Sequence, residues 1–455
     1  MKFDPTIAAV RFGTGLSPLF APPVNADALL GELEGAPQFD IIAYSQITPT
    51  MKQYQAATRA SREARGTQDE AAKAAAFRSV RQAGNVVYND SLRATFARSV
   101  GAQFGFSARL QDFWADHFTV KARNVPQRHL ITGYVEEAIR PHIASSFGAM
   151  LRAVATHPAM LVYLEQFQSV GPDSQFGQRR GRGLNENFAR ELLELHTLGV
   201  GGPYTQTDVR ELAELLTGLT YQPQRGFFYD KRFAEPGAET VLGITYDAAD
   251  GIDNILDAID ALARHPQTAA HICEKIARYF IGQDADATMV AAMTDVFITT
   301  DGWLPAVYAE MLDHPAAWDR TLRQIKSPLR FMTSAMRALG LTGAQVVKTN
   351  GRQTRELLIR PLVVMGQPWQ KPLGPDGWPD NGADWVNPQG MAGRISWAMT
   401  APREFLQTRP PDPRSFVVTA LGDLATQDVI FAASAAEVRD EGIGIILSAP
   451  AFQRS

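Results

Sequence analysis

Hydrophobic residues recur at intervals of three and four along most of the chain, which is the spacing of an amphipathic α-helix. The alternation of apolar and polar residues that would indicate strands is hard to find. An alanine-rich segment dotted with arginines predicts a long helix over 67–99, and a second helix follows over 107–118. The pattern therefore predicts a mostly α, multi-helix globular body with little or no β structure.

Two long irregular loops interrupt the helical pattern, at 171–183 and 366–389, and both are rich in glycine. A helical hairpin is predicted over 185–218, because Asn185 can cap its first helix and Thr205 and Asp208 have the spacing of a capping box. Proline at 158 is expected to break the helical pattern over 147–164. Further helices are predicted at 254–263, 267–281, 288–298, 304–313, 328–339, 355–365, 394–400, 413–424 and 435–448.

Length and composition are typical of one large globular unit. The 455 residues are 45% hydrophobic and 20% charged, and 44 basic against 48 acidic residues give a net charge of −4. We expect a single all-α domain, 1–455, with a soft subdivision into 1–230 and 231–455. The near-zero charge argues against a general affinity for nucleic acid, and no apolar run approaches the ~18 residues of a membrane span.

Cysteine usage and the first residues bear on the location of the protein. Cys273 is the single cysteine, which excludes an intrachain disulfide and a thiolate metal cluster. The first residues contain neither a signal-peptide core nor a twin-arginine pair, so a cytoplasmic location is expected.

The segment 185–199 concentrates polar side chains on one face of a predicted helix. Glu191 and Glu194 share that face with Arg190, and paired carboxylates can hold a divalent metal or act as acid and base. The alternative is a solvated face carrying an Arg190–Glu194 ion pair at i,i+4. His196 lies among the apolar residues of the opposite face, where a buried neutral imidazole bonded to backbone is more typical than a ligand.

Aromatic residues surround the other candidate groups. Trp114 and His117 lie at i,i+3 near the end of the second predicted helix, where His117 is either a ligand or base or a structural histidine favoured by the helix dipole. The second loop holds Trp369, Trp378 and Trp385, interleaved with aspartates. Such rings either hold a sugar or a cation, or pin a long coil to the helical body. The common catalytic signatures, such as the P-loop, the nucleophile elbow and H-E-x-x-H, are missing.

Several short stretches spread from end to end of the chain carry a family likeness. The most specific is Ala-Arg-Glu-Leu-Leu-Glu-Leu-His-Thr-Leu-Gly at 189–199. The other stretches are Arg11-Phe12-Gly13, Leu16-Ser17-Pro18, Phe113-Trp114-Ala115-Asp116-His117-Phe118, His157-Pro158-Ala159-Met160-Leu161, Gly181-Arg182-Gly183-Leu184-Asn185-Glu186-Asn187, Tyr204-Thr205-Gln206, Asp208-Val209, Lys326-Ser327-Pro328, Gly366-Gln367-Pro368, Gly377-Trp378-Pro379-Asp380 and Ser448-Ala449-Pro450-Ala451-Phe452-Gln453-Arg454. Together they resemble the large bacterial family called domain of unknown function 1800, over essentially the whole chain.

The resemblance implies little about activity, because this family has no established reaction, cofactor or catalytic residues. Many members look exported, often with twin-arginine signals, which this sequence lacks. Members are often encoded beside a second family, domain of unknown function 1501, which is similar to sulfatases and alkaline phosphatases. The resemblance therefore implies a sulfatase-like or phosphatase-like protein as a partner.

The leading functional hypothesis is a binding or accessory protein that acts with such a partner, since the chain carries no recognisable catalytic constellation. The alternative is a metal-dependent enzyme with a carboxylate–histidine site at the hairpin over 185–218. In that enzyme His117, Glu191 and Glu194 are the candidate catalytic residues, and together with Asp208 they are the candidate ligands of a divalent metal.

A third hypothesis is a carbohydrate or peptide binder that uses Trp369, Trp378 and Trp385. The candidate ligand contacts outside the metal set are Trp114, Arg190 and Trp378.

Overall fold

A computed structural model describes residues 2–35, 39–122, 128, 131–180, 183–223, 225–247, 251–406 and 408–455. The helices, in chain order, are α1 (Pro5–Ile7), α2 (Ala26–Leu30), α3 (Met51–Glu63), α4 (Glu70–Gly101), α5 (Phe106–His117), α6 (Ile131–Tyr134), α7 (Phe147–Ala155), α8 (Pro158–Tyr163), α9 (Gln175–Arg180), α10 (Asn187–Glu191), α11 (Gln206–Leu215), α12 (Ile252–Arg264), α13 (Pro266–Ile281), α14 (Ala287–Thr299), α15 (Leu304–Asp313), α16 (Pro328–Ala338), α17 (Gly343–Val347), α18 (Gly351–Gln353), α19 (Arg360–Val364), α20 (Pro388–Leu406), α21 (Pro413–Leu421), α22 (Gln427–Ala435), α23 (Arg439–Ser448) and α24 (Pro450–Gln453).

Tighter and wider helical turns extend several of these helices. The π-helical segments are Ala8–Phe12, Val135–Ile139, Leu192–Thr197 and Thr354–Ile359. The 3₁₀ segments are Gly31–Glu34, Tyr44–Gln46, Arg140–His142, Gln166–Gln168, Pro315–Trp318, Gly382–Trp385 and Gly422–Leu424. The prediction of a mostly α fold is confirmed.

Two small antiparallel hairpins follow α11 and were not anticipated from the sequence. They pair β1 (Leu219–Gln222) with β2 (Gly226–Tyr229) and β3 (Ala238–Val241) with β4 (Ile244–Asp247). A strand of four residues places only two side chains on each face, so its alternation is too short to stand out in a helical sequence.

Capping residues and prolines in the sequence correctly predicted where several helices begin or end. Thr205 and Asp208 form the predicted capping box of α11, and proline separates α7 from α8 at 158. Two predictions were wrong in detail. The first loop contains α9, and the helix predicted at 435–448 ends where predicted but begins only at Arg439, as α23, because α22 ends at Ala435. Residues 181 and 182 of that loop lie outside the described residues.

The hydrophobic core consists of two large clusters. One draws on residues between Ile7 and Trp318, and the other on α16 and the helices after it, together with the end of α4. Every residue of α16 is buried. Its Arg337 reaches across to donate hydrogen bonds to the carbonyls of Gly15 and Val100, at 2.9 and 3.1 Å, which ties the second cluster to the first half of the chain. The subdivision at residue 230 stays a prediction.

In the part of the chain that the structure describes, no helix combines the length and the apolar character needed to cross a bilayer.

Candidate functional site

A cleft of about 190 Å³ lies where the two hydrophobic clusters meet. We call it the central cleft. Its walls are α5, the start of α16, residues 131–136 and the irregular segment 366–387. Its polar and aromatic lining includes Gln111, Asp112, Asp116, Tyr134, Glu136, Tyr279, Gln324, Arg330, Gln367, Trp369, Gln370, Trp378, Asp380 and Trp385.

Three tryptophans of the irregular segment line the central cleft together. The ring centroids of Trp378 and Trp385 lie 6.0 Å apart, and Trp385 is buried whereas Trp378 is partly exposed. The indole Nε1 of Trp369 is buried and has no hydrogen-bond partner among the described residues. A buried N–H without a partner is costly, so this donor is an unexplained feature of the cleft wall.

Two carboxyls of α5 face the tryptophans. Asp112 and Asp116 lie at i,i+4, so they share one face of the helix, and both line the cleft. Burial raises the pKa of Asp112 to about 6, although the guanidinium groups of Arg109 and Arg330 oppose the shift. Burial also raises the pKa of Asp116 to about 7, and the neighbouring carboxylates of Asp380 and Asp112 add to it.

Asp116 connects α5 to the irregular segment 366–387, which carries the three tryptophans and is called the tryptophan segment below. Its Oδ1 accepts a hydrogen bond from the backbone N–H of Trp378 at 2.9 Å, which opposes the upward shift of its pKa. Gly377 has φ of +86°, and a Cβ at that position would lie 2.6 Å from the same Oδ1. Only glycine therefore permits this backbone to approach the carboxylate so closely.

Buried cations lie beneath the floor of the cleft. Arg330 lines the cleft, and its Nη2 donates to the hydroxyl of Ser455 at 2.7 Å. The ammonium of Lys326 donates to the carbonyl of Phe452 at 2.7 Å. Burial, reinforced by neighbouring cations, lowers the pKa of Arg330 to about 9 and that of Lys326 well below its usual value. The guanidinium of Arg330, together with that of Arg109, opposes the upward shift of the pKa of Asp112.

Trp114 and His117 lie on the opposite side of α5, in the hydrophobic core. The indole of Trp114 is fully buried and donates to the hydroxyl of Tyr308 at 2.7 Å. His117 is 3% exposed, and its Nε2 lies 3.3 Å from the carbonyl oxygen of His196. Burial holds the pKa of His117 well below its usual value, so the imidazole is neutral. As placed here, neither side chain reaches the central cleft.

The polar helix face around α10 carries the expected ion pair. Arg190 lies 3.8 Å from the carboxylate of Glu194 and 3.2 Å from that of Glu186. Burial raises the pKa of Glu191 to about 7, and the carboxylates of Glu194 and Asp376 add to the shift. The solvated-face interpretation therefore accounts for Arg190 and Glu194, whereas Glu191 is more strongly perturbed than such a face requires.

The polar face around α10 is not α-helical along its whole length. Residues Leu192–Thr197 are π-helical, so their side chains do not follow the 100° spacing of an α-helix. His196 is nevertheless buried, as expected, at 2% exposure. Burial lowers its pKa to about 3, but its Nδ1 has no partner among the described residues rather than the expected bond to backbone.

The four candidate metal ligands are dispersed. Asp208 accepts hydrogen bonds from the backbone of Thr205 and of Leu242, both at 2.8 Å, so it caps α11 and holds the β3–β4 turn. Within the described ranges, the group of three or more metal-ligating side chains whose ligand atoms lie within 4.8 Å of one another is Glu211, Glu214 and Glu239. The set of His117, Glu191, Glu194 and Asp208 forms no such group, and its metal role stays a prediction.

Sequence reasoning missed Asp112, Asp116 and Arg330 as residues of a site. Their signal was present in part, since Asp112 and Asp116 have helical i,i+4 spacing opposite a run of aromatic residues. Their proximity to Trp378 could not be seen, because the hydrogen-bonded residues Asp116 and Trp378 are 262 positions apart.

Comparison with known proteins yields one family. A family model described as "Protein of unknown function (DUF1800)" matches residues 12–454. No curated protein and no solved structure matches the chain.

Proposed function

Since the chain belongs to the domain of unknown function 1800 family, which carries no assigned reaction, its function has to be argued from its site, and we propose that the central cleft binds a saccharide. The observation that carries this proposal is the lining of one cleft by Trp369, Trp378 and Trp385 together with the carboxyls of Asp112 and Asp116. The proposal extends the third functional hypothesis, a carbohydrate binder that uses these three tryptophans, by adding the two carboxyls of α5 that line the same cleft.

The cleft lining offers partners for both the apolar C–H face and the hydroxyl groups of a sugar ring. The C–H face of a pyranose packs against an indole ring, while its hydroxyls donate to carboxylates and accept from N–H groups. Gln324 and Gln367 line the cleft with amide groups. The Nε2 of Gln324 donates to the carbonyl of Asp380 at 3.2 Å and the Oε1 of Gln367 accepts from the N–H of Leu329 at 2.8 Å, so both amides are held in place at the cleft wall. At about 190 Å³ the cleft is smaller than the roughly 300–1,000 Å³ typical of drug-sized ligands, which favours a single ring.

The two raised carboxyl pKa values support a second candidate function, glycoside hydrolysis at the same cleft. With pKa values of about 6 and 7, Asp112 and Asp116 can supply one carboxylate and one carboxylic acid near neutral pH. Asp112 and Asp116 lie at i,i+4 and share one face of α5. In a retaining mechanism one of the two carboxylates attacks the anomeric carbon while the other, as the acid, protonates the leaving oxygen. Water would then hydrolyse the glycosyl ester with the second carboxyl as base.

Saccharide binding is compatible with an accessory role beside a sulfatase-like partner, which the family resemblance supports. A metal-dependent enzyme at the hairpin has weaker support, because its proposed ligands are dispersed whereas the cleft groups converge.

The proposal is tested by calorimetric titration of the purified protein with neutral, acidic and amino monosaccharides and their short oligomers. We expect one sugar class to bind, and Trp378→Ala to weaken that binding at least about fivefold, since stacking on an aromatic ring contributes on the order of 1–3 kcal/mol. Trp303 is half exposed and lies outside the cleft, so Trp303→Ala is the matched control and should bind normally.

Two results would overturn the proposal. Either no sugar in the panel binds to protein that is well folded, or the two tryptophan variants lose affinity equally. Hydrolysis is assayed separately, with aryl glycosides of the sugar that binds. Asp112→Asn and Asp116→Asn should each abolish turnover, and a protein that binds but releases no aglycone excludes the hydrolytic candidate.

A further inference from the structure

A second pocket adjoins the central cleft and has a different character. We call it the α3–α8 pocket. Its volume is about 490 Å³, and it shares Val120 and Ile131 with the central cleft as a common wall. Its interior is mostly apolar, with walls that include Met51, Val120, Ile131, Val162, Phe167 and Tyr221. This volume lies within the roughly 300–1,000 Å³ range of small-molecule sites.

The rim of the α3–α8 pocket is basic. Gln55, Thr58, Arg59 and Arg62 occupy positions i, i+3, i+4 and i+7 of α3, so they share the face that lines the pocket. Lys121 contributes a third cation, and its Nζ donates to the carbonyl of Leu373 at 3.3 Å. The lining residues that the structure describes include no carboxylate, and Arg59 pairs only loosely with Glu63 outside the pocket, at 4.0 Å.

We propose that the α3–α8 pocket binds a long-chain fatty acid. An apolar interior favours a hydrocarbon chain, because each CH₂ group that enters the pocket removes apolar surface from water. The three cations at the rim attract the carboxylate and leave it in contact with water, where a charge is not costly. The charge complementarity specifies an anionic head group, and the single pocket specifies a single chain. Apart from the shared wall of Val120 and Ile131, this site differs from the saccharide cleft in the described residues that line it and in its ligand.

The test uses the full-length protein and sodium oleate below its micellar concentration, with displacement of a fluorescent fatty acid as the readout. We expect saturable binding of one oleate per chain. The double variant Arg59→Glu/Arg62→Glu should weaken it about tenfold, because two attractive exposed contacts become repulsive. Arg65→Glu is the matched control, since Arg65 is exposed just beyond α3 and does not line the pocket.

The apolar half of the proposal is tested by filling the pocket. Val162→Trp should weaken oleate binding at least about tenfold, because the larger side chain fills the pocket. Val418→Trp, at a position 62% exposed on α21, should leave oleate binding unchanged. Methyl oleate, which keeps the chain but lacks the charge, should bind about tenfold more weakly than oleate.

Each outcome decides the proposal. Equal binding of oleate and methyl oleate, or loss of affinity in the Arg65→Glu control, contradicts the role of the basic rim. Unchanged oleate binding by a folded Val162→Trp protein contradicts the pocket as the site. If the saccharide proposal fails while oleate binding follows the predicted pattern, the α3–α8 pocket stands on its own.

Discussion

Asp116→Asn isolates the energetic consequence of placing an ionisable carboxyl in the central cleft. Asparagine keeps the Oδ1 that accepts the hydrogen bond from Trp378 N–H, but it cannot ionise. The variant therefore removes a titration while retaining the contact between α5 and the tryptophan segment.

The magnitude follows from the pKa of Asp116. Burial raises this pKa from its ordinary 3.8 to about 7, a difference of about three units. At 1.36 kcal/mol per unit, ionisation costs the folded state up to about 4 kcal/mol above pH 7. This figure is an upper bound, because the carboxylate is partly exposed to water in the cleft. With an unfolding entropy of about 2.1 cal/mol/K per residue, the variant should gain up to about 4 °C in Tm.

The sign of the pH dependence is determined by the direction of the shift. Below pH 3.8 the carboxyl is protonated in both the folded and the unfolded wild-type protein, so the two proteins differ little. Between pH 3.8 and about 7 the unfolded chain ionises while the folded chain does not, and the wild type progressively loses stability. The Tm of Asp116→Asn minus that of the wild type should therefore rise from near zero at pH 4 to its maximum at pH 8.

The assay is thermal unfolding followed by circular dichroism in a series of buffers from pH 4 to pH 8. Asp384→Asn, at an exposed carboxyl of the same irregular segment, is the matched control and should follow the wild type at every pH. A Tm difference that is constant across the series, or negative at pH 8, would refute the assignment of a buried, protonated carboxyl to Asp116.

Two further predictions concern groups around the same region. Burial by itself would raise the pKa of Glu137. The hydrogen bonds that its carboxylate accepts from His157 and Ser45 outweigh burial, so the pKa is lowered to about 2. Glu137→Gln should therefore destabilise the protein by about 1–3 kcal/mol at pH 7, and the difference should disappear as the pH falls below 4.5 toward 2, as measured by urea denaturation. Gly377→Ala adds a Cβ 2.6 Å from the Oδ1 of Asp116, so it should displace the segment that carries Trp378. This displacement should weaken saccharide binding and change the tryptophan fluorescence spectrum. Gly366→Ala carries a similar positive φ of +92° but meets no atom within 4 Å, so equal effects of the two alanines would contradict the clash.

The sequence alone determined the features that depend on neighbouring residues. The capping box of α11 joins Thr205 to Asp208, three positions apart, and α15 begins and ends where the apolar period predicts. The break at proline 158 is equally local, because the ring removes a donor and clashes with the preceding turn. Such signals lie within one or two turns of the chain, so the mostly α fold could be predicted without knowledge of its packing.

The composition of the candidate site was decided only by the tertiary structure. Sequence periodicity places Trp114 and His117 on the side of α5 opposite Asp112 and Asp116, but it does not say which side meets a core and which meets a cleft. That choice depends on α16 and on the segment carrying Trp378, which are more than two hundred positions away. The pKa of Asp116 depends on it as well, because desolvation is a property of all the groups that surround a carboxyl and not of its neighbours in the chain.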